Sequence, residues 1–455
     1  PRACGSGWVG RLRAAARGGS LRSRLTRGAT WSTAGSIAAQ GSSLVMAIVV
    51  ARLLGLQAFG QFVLVQSTSL MLQGVGGLGL GLATTRRVAG LRSRDLERTG
   101  RVMGFSLLFT LGVGSLLACL ALAAPGALYR SVLGTAGPAG SVRLVGLIAF
   151  AEMLTRIQTD ILIGLEAFAG MARVCVVRGG LTLSMVALGA YAFGLAGALG
   201  ALAAAALVTS GVAYIVLRRT CKGNGIPMAF RGVRSETGVL WTSLFVTGSS
   251  LSLAVVTWVL NVSLARQTNG LEELALFNAA DRWRAAILFL PGLLAQVSLP
   301  LLAHTHAQGR AGDCRRLLLG TSSVGLAVTV LPVLVVTWLA SALMGGYGQT
   351  FVQGRPVLVL LSLACLPTAL CTLGAYGLWA AGKIGTMLAI DVLRAVVTLS
   401  WCLVRSPFGA VDVAVATLVG YGVAAPLIGL AIWRTTESGQ PEAQGAGTVA
   451  GAGVA

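Results

Sequence analysis

Between residues 30 and 433 the chain runs as about twelve apolar stretches of roughly 20 residues each, with charge almost confined to the gaps between them. No other feature limits the backbone so strongly. In lipid a segment must satisfy its own peptide hydrogen bonds, so only helices or a closed barrel can span. A barrel would show strands of about ten residues alternating apolar and polar, with aromatic girdles. No such alternation occurs, and aromatic residues make up only 6% of the chain. The expected fold class is all-α and integral to the membrane, with about 12 transmembrane helices.

The hydropathy pattern predicts spans at 30–51, 59–82, 103–122, 142–163, 172–191, 195–217, 239–264, 274–302, 317–339, 357–380, 385–403 and 410–433. Once these are subtracted from 455 residues of mean hydropathy +0.81, little remains for a soluble domain. The expected organisation is a basic tail (1–28), a first lobe of helices 1–6 (29–217), a basic linker (218–238), a second lobe of helices 7–12 (239–433) and a disordered Gly- and Ala-rich tail (434–455).

A count of 35 Lys and Arg against 14 Asp and Glu would suggest nucleic acid in a soluble chain; here their placement matters more, and no nucleic-acid partner is expected. If the N-terminus is cytoplasmic, 25 of the 35 fall on the cytoplasmic side. The positive-inside rule then puts both termini in the cytoplasm. Binding of anionic membrane lipid is the other use of these basic loops.

Two octets are alike. Gly55-Leu56-Gln57-Ala58-Phe59-Gly60-Gln61-Phe62 joins the first two spans, and Gly270-Leu271-Glu272-Glu273-Leu274-Ala275-Leu276-Phe277 follows span 7. Trp31-Ser32-Thr33 is echoed by Trp241-Thr242-Ser243 where each half begins. Together they suggest two related six-helix lobes of one orientation around a central cavity.

Several spans carry charge. Glu152, Arg156 and Asp160 in span 4 are four apart and share a helical face. At roughly 2.5–3.5 kcal/mol per charge near the bilayer centre, that face should look inward. Asp391 and Arg394 lie in span 11, and Asp281, Arg282 and Arg284 enter span 8 near its outer end. A salt-bridge ladder and a cavity lining are both consistent with this spacing. Gln40, Gln66, Gln73 and Asn261 add uncharged polar groups that suit either sugar hydroxyls or helix–helix contacts. Arg52 and Arg266 at the outer mouth, and Arg86, Arg87, Arg173 and Arg178 at the inner, suit either a diphosphate or interfacial anchoring. Asp160 or Asp391 is the candidate to carry a coupling proton.

Other patterns point away from chemistry. Gly74-Val75-Gly76-Gly77-Leu78-Gly79 fits a dinucleotide pattern but lies inside span 2, where glycines serve close packing or a bend. Pro291 and Pro300 offer another bend. The eight cysteines and two histidines, His304 and His306, have no metal-ligand spacing, so no metal and no cofactor are expected. No Gly-x-x-x-x-Gly-Lys-Ser/Thr loop is present, which excludes direct ATP drive by this chain. The short outer loops leave little room for an enzyme, so the chain is not expected to be one.

Arg52-Leu53-Leu54-Gly55 with Phe59-Gly60 resembles the signature closing the first span of polysaccharide transport proteins. These form the O-antigen flippase (Wzx-like) branch of the MATE-like multidrug/oligosaccharidyl-lipid/polysaccharide (MOP) exporter superfamily. Thr85-Arg86-Arg87-Val88-Ala89, Phe277-Asn278-Ala279-Ala280-Asp281-Arg282 and Leu299-Pro300-Leu301-Leu302 agree with it. The resemblance implies two six-helix lobes forming a V-shaped cavity that opens alternately to each side. It implies a polyprenyl-diphosphate-linked oligosaccharide as cargo, such as an O-antigen, capsule or exopolysaccharide unit, moved to the outer leaflet of the bacterial inner membrane. Proton or sodium coupling is often found in that family, and a polysaccharide polymerase and glycosyltransferases are the implied partners. Arg52, Arg282 and Arg284 match positions where such proteins carry charge. A cation-coupled multidrug exporter of the same superfamily and an integral-membrane glycosyltransferase or polymerase are the alternatives.

Overall fold

The structure is a computed structural model and describes residues 21–77, 79–123, 139–228, 254–307 and 311–437, a few side chains near helix ends apart. The Trp241-Thr242-Ser243 echo, most of the linker, both extreme tails and the side chains of Pro300, His304 and His306 lie outside the described residues. The helices are α1 (Leu21–Gly77), α2 (Leu80–Leu91), α3 (Leu96–Ala123), α4 (Ala139–Gly164), α5 (Phe168–Gly223), α6 (Ala254–Ala265), α7 (Gly270–Ile287) and α8 (Phe289–Ala307). They continue as α9 (Ala311–Trp338), the short α10 (Ala340–Gly345), a 3-10 turn (Gln349–Gly354), α11 (Arg355–Ala380), α12 (Ile384–Val404) and α13 (Ala410–Glu437).

Seven helices are long and apolar enough to cross a membrane whole. Two of these are double passes. α1 runs 57 residues because it turns on itself at Gly55, whose φ of 77° and ψ of 177° no side-chain-bearing residue adopts without strain. α5 reverses at Phe193 and Gly194, where Gly194 has φ 60° and ψ −140°. The charges of α4 keep it off a hydropathy count, and the eighth pass is split into α7 and α8 at Leu288. Pro291 explains that split: it has no N–H to return to the carbonyl of Ile287. The described residues therefore make eleven full passes, and α6 is the described end of a further span in the hydropathy pattern.

Packing within each lobe relies on small residues, as expected where apolar side chains gain nothing from leaving lipid. A Cβ on Gly35 would touch Ala172 at 3.2 Å, and one on Gly179 would overlap Ser42, so α1 and α5 run backbone to backbone. Threonines inside spans, such as Thr110, Thr155 and Thr329, return their hydroxyls to the carbonyl four residues back and present no free polar group. Exposed Tyr191, Phe193 and Trp338 stand at the side where Gly55 turns the chain, and Trp379 and Trp433 at the other. Such aromatic belts mark the two membrane–water interfaces.

The cores differ between the two sides. On the Gly55 side one continuous core takes in both lobes, from Met46–Val65 and Val186–Ala203 to Leu260–Ile287, Val333–Cys365 and Cys402–Ala416. On the opposite, arginine-rich side the described cores are separate. Leu80, Met103, Ile161 and Leu217 gather in the first lobe, and Cys371, Leu378, Met387 and Ile428 in the second, beside a small Leu302–Leu318 contact. Among the described residues the lobes share one core at the Gly55 side, and the cores described at the basic side are separate.

Candidate functional site

Three groups of polar side chains sit at intermediate depth. In the second lobe, Arg284 Nε donates to Asp281 Oδ1 at 2.6 Å within one turn of α7. On α12, Arg394 Nη2 stands 3.6 Å from Asp391 Oδ1. The Arg394 guanidinium covers the ring of Tyr421 on α13 at 4.7 Å, a cation–π contact. Tyr421 also lies within electrostatic reach of Arg284. Gly420 makes the approach possible, since a Cβ there would meet Thr398 Oγ1 and the Arg394 side chain. Arg394 is only 8% exposed, and its Nε has no hydrogen-bond partner in the structure.

In the first lobe the expected ladder is divided. Glu152 bonds to Arg178 of α5 at 2.6 Å, and Arg156 pairs with Asp160 at a longer 3.4 Å. Arg178 therefore belongs inside the membrane rather than at the inner mouth, ten residues into its helix. Asp160 is pressed against α2: a Cβ on Gly81 would overlap its carboxylate, and Thr85 Oγ1 donates to its backbone carbonyl at 2.8 Å. Gly79, in the left-handed region at φ 62°, starts that helix anew, which is the bend expected of the glycine run. Arg156 is 80% exposed, on the face of α4 that its lobe leaves uncovered.

The seam between lobes forms the third group. Arg282 of α7 donates to Ser43 Oγ at 3.2 Å and to Gln66 Oε1 at 2.6 Å, one acceptor on each arm of α1. Trp258 Nε1 donates to Thr68 Oγ1 at 3.2 Å. Toward the Gly55 side, Arg52 donates to the Gly346 carbonyl, and Phe59 meets Phe351 edge-on at 5.9 Å. A Cβ on Gly60 would overlap the carbonyl of Leu271, so the two sequence octets press their backbones together.

The remaining expected residues are more scattered. Asn261 is buried, Gln40 and Gln73 are half-buried, and Arg86 and Arg266 are exposed, with Arg87 half-buried. The charges of α4, α7 and α12 do not form one cluster, as the sequence reading expected: their ion pairs close within each lobe, and Arg282 is the residue of the set that crosses. Asp281 and Arg284 also lie deeper than the outer end of their span, level with Arg394 and Tyr421. Sequence reasoning missed Tyr421, whose signal is a lone phenol in the middle of the last span, and Ser43, which carries no signal of its own.

Comparison with known proteins agrees with this architecture. The family model described as "Polysaccharide biosynthesis protein" matches residues 25–306. The EPS I polysaccharide export inner membrane protein EpsE of Ralstonia nicotianae is 26% identical over 411 residues, covering 85% of this chain and 88% of the relative. Its counterpart in Ralstonia solanacearum is 27% identical over 414 residues, with the same coverage. Among solved structures, an inward-facing multidrug resistance MATE family transporter of the MOP superfamily superposes with a TM-score of 0.73 at 19% identity, covering 89% of this chain and 96% of that one. A MOP superfamily transporter from Pyrococcus furiosus, described as having a binding pocket of reverse polarity, gives 0.67 at 19% identity, covering 96% and 99%. These structures share the fold. The chain belongs to the polysaccharide biosynthesis protein family and shares the fold of these MATE transporters.

Proposed function

We propose that the chain is a flippase that carries a polyprenyl-diphosphate-linked oligosaccharide from the cytoplasmic to the outer leaflet of a bacterial inner membrane by alternating access. The observation that carries this reading is the division of the cores among the described residues, shared by both lobes on one side and separate on the other. A hollow of that form, lined at depth by polar groups, is what an amphipathic cargo needs to turn over. The arginine-rich side is assigned to the cytoplasm by the positive-inside rule, which makes both termini cytoplasmic and the present conformation inward-facing. The names of the Ralstonia relatives support polysaccharide as the cargo class and the inner membrane as the location.

Within the hollow, exposed Arg156 and the Arg284–Tyr421–Arg394 group would engage phosphate or acidic sugar, with half-buried Gln40 and Gln73 facing hydroxyls. Arginine suits this task because its fork bonds two oxygens at once and its charge is permanent. Asp160, lodged against Gly81 beside the bend at Gly79, and Asp391 are the candidates for proton or sodium coupling. The chain would transport and not transform its cargo, and a polymerase and glycosyltransferases would act before and after it. The test is deletion and complementation in the native host. Loss of surface polysaccharide with build-up of lipid-linked repeat units supports the reading, and unchanged polysaccharide overturns it.

A further inference from the structure

We infer that Arg282 is a cargo-released latch, holding the Gly55 side shut until an anionic headgroup takes over its guanidinium. The inference rests on the flippase reading and adds how the cargo would open the far side.

Three facts lead to it. First, Arg282 bridges the lobes, bonding at once to Ser43 and Gln66 on the two arms of the first hairpin. Opening the Gly55 side must break both bonds. Second, both acceptors are neutral, whereas the neighbouring Asp281 is occupied by Arg284. A phosphate adds an opposite charge and a bidentate fit that neutral acceptors lack, so a diphosphate competes well for this side chain and a neutral molecule does not. Third, the depth is right. Ser43, Gln66 and Arg282 each lie about twelve residues, roughly 18 Å of helix, from the Gly55-side turns. All three therefore stand well inside the membrane, within a shared core that runs on to Ile287, where Arg282 is half-buried. A headgroup entering from the basic side would draw the guanidinium away from Ser43 and Gln66. The Trp258–Thr68 and Arg52–Gly346 hydrogen bonds also cross between the lobes and must part with the latch.

The mechanism predicts the effect of changing the acceptor while leaving Arg282 in place. Gln66→Glu offers the guanidinium a carboxylate and should tighten the latch; Gln66→Leu should loosen it. Spin labels carried by non-canonical amino acids at exposed Gln57 and Thr350, one in each lobe on the Gly55 side, would report the opening in the purified full-length chain in nanodiscs. Undecaprenyl diphosphate should lengthen the label distance in the wild type, and undecaprenol should not. Gln66→Glu should need at least about tenfold more diphosphate for the same shift, and Gln66→Leu should show the long distance without ligand. Equal diphosphate responses in wild type and Gln66→Glu, or a wild-type distance that diphosphate leaves unchanged, would overturn the latch. Polysaccharide production in the deletion strain tests the export reading separately, so either idea can fail while the other stands.

Discussion

Glu152 of α4 is paired with Arg178 of α5 at 2.6 Å, not with Arg156 one turn along its own helix. The choice sets the roles of both arginines. Arg178 neutralises a half-buried carboxylate and ties two helices of the first lobe together, which leaves Arg156 with a longer bond to Asp160 and an exposed guanidinium.

Removing Arg178 should therefore cost stability. Arg178→Ala strands Glu152 in a low-dielectric site, at about 2 kcal/mol once the partial exposure of the arginine is taken into account. The midpoint of thermal unfolding in detergent should fall by several degrees, and the double variant Arg178→Ala/Glu152→Gln should recover most of the loss. A double variant no more stable than Arg178→Ala would show that the pair is not the unit of stabilisation.

Arg156 should behave in the opposite way. Its side chain is 80% exposed, so Arg156→Ala should change stability by under about 0.5 kcal/mol. On the proposed role in the cargo path, it should nevertheless reduce surface polysaccharide with protein abundance intact. Normal polysaccharide in this variant would remove Arg156 from the cargo path.

Arg394 combines the two behaviours. Arg394→Ala leaves Asp391 without its cation and uncovers the ring of Tyr421, so both abundance and export should drop. Arg394→Lys keeps the charge but not the planar stack, and should restore abundance while leaving export impaired. Quantitative immunoblotting beside polysaccharide assay separates the two effects; full export by Arg394→Lys would show that charge alone matters.

Gly81 tests the contact beneath the bend. Gly81→Ala places a methyl group where the Asp160 carboxylate now lies, so α2 and α4 must separate locally. Export should fall, and Asp160→Ala should partly restore the packing, measured as thermal stability, in the double variant. Additive losses in the two single variants would show that Gly81 and Asp160 do not touch in the working protein.

How far the sequence disclosed this structure depended on how local the cause was. Spans are legible because lipid imposes its demand on every twenty-residue window, and the turn at Gly55 follows from a single residue. The break at Leu288 is visible three residues ahead in Pro291. The repeated octets were legible as a repeat, but their mutual contact through Gly60 and Leu271 was not, since nothing in either segment names its partner. The partner of Glu152 illustrates the same limit. Spacing on α4 favours Arg156, and only the small-residue packing that brings α4, α5 and α1 together decides for Arg178. Arg282 read as a cavity charge; its acceptors, Ser43 and Gln66, became apparent only once the two arms of α1 were folded against α7.

The most direct measurement is transport itself. The purified chain, reconstituted into liposomes with a fluorescent polyprenyl-diphosphate-linked oligosaccharide, should move the lipid between leaflets, seen as its exposure to a membrane-impermeant quencher. Movement should be much slower with Arg394→Lys. Exchange no faster than in protein-free liposomes, under imposed proton and sodium gradients of either sign, would contradict the account.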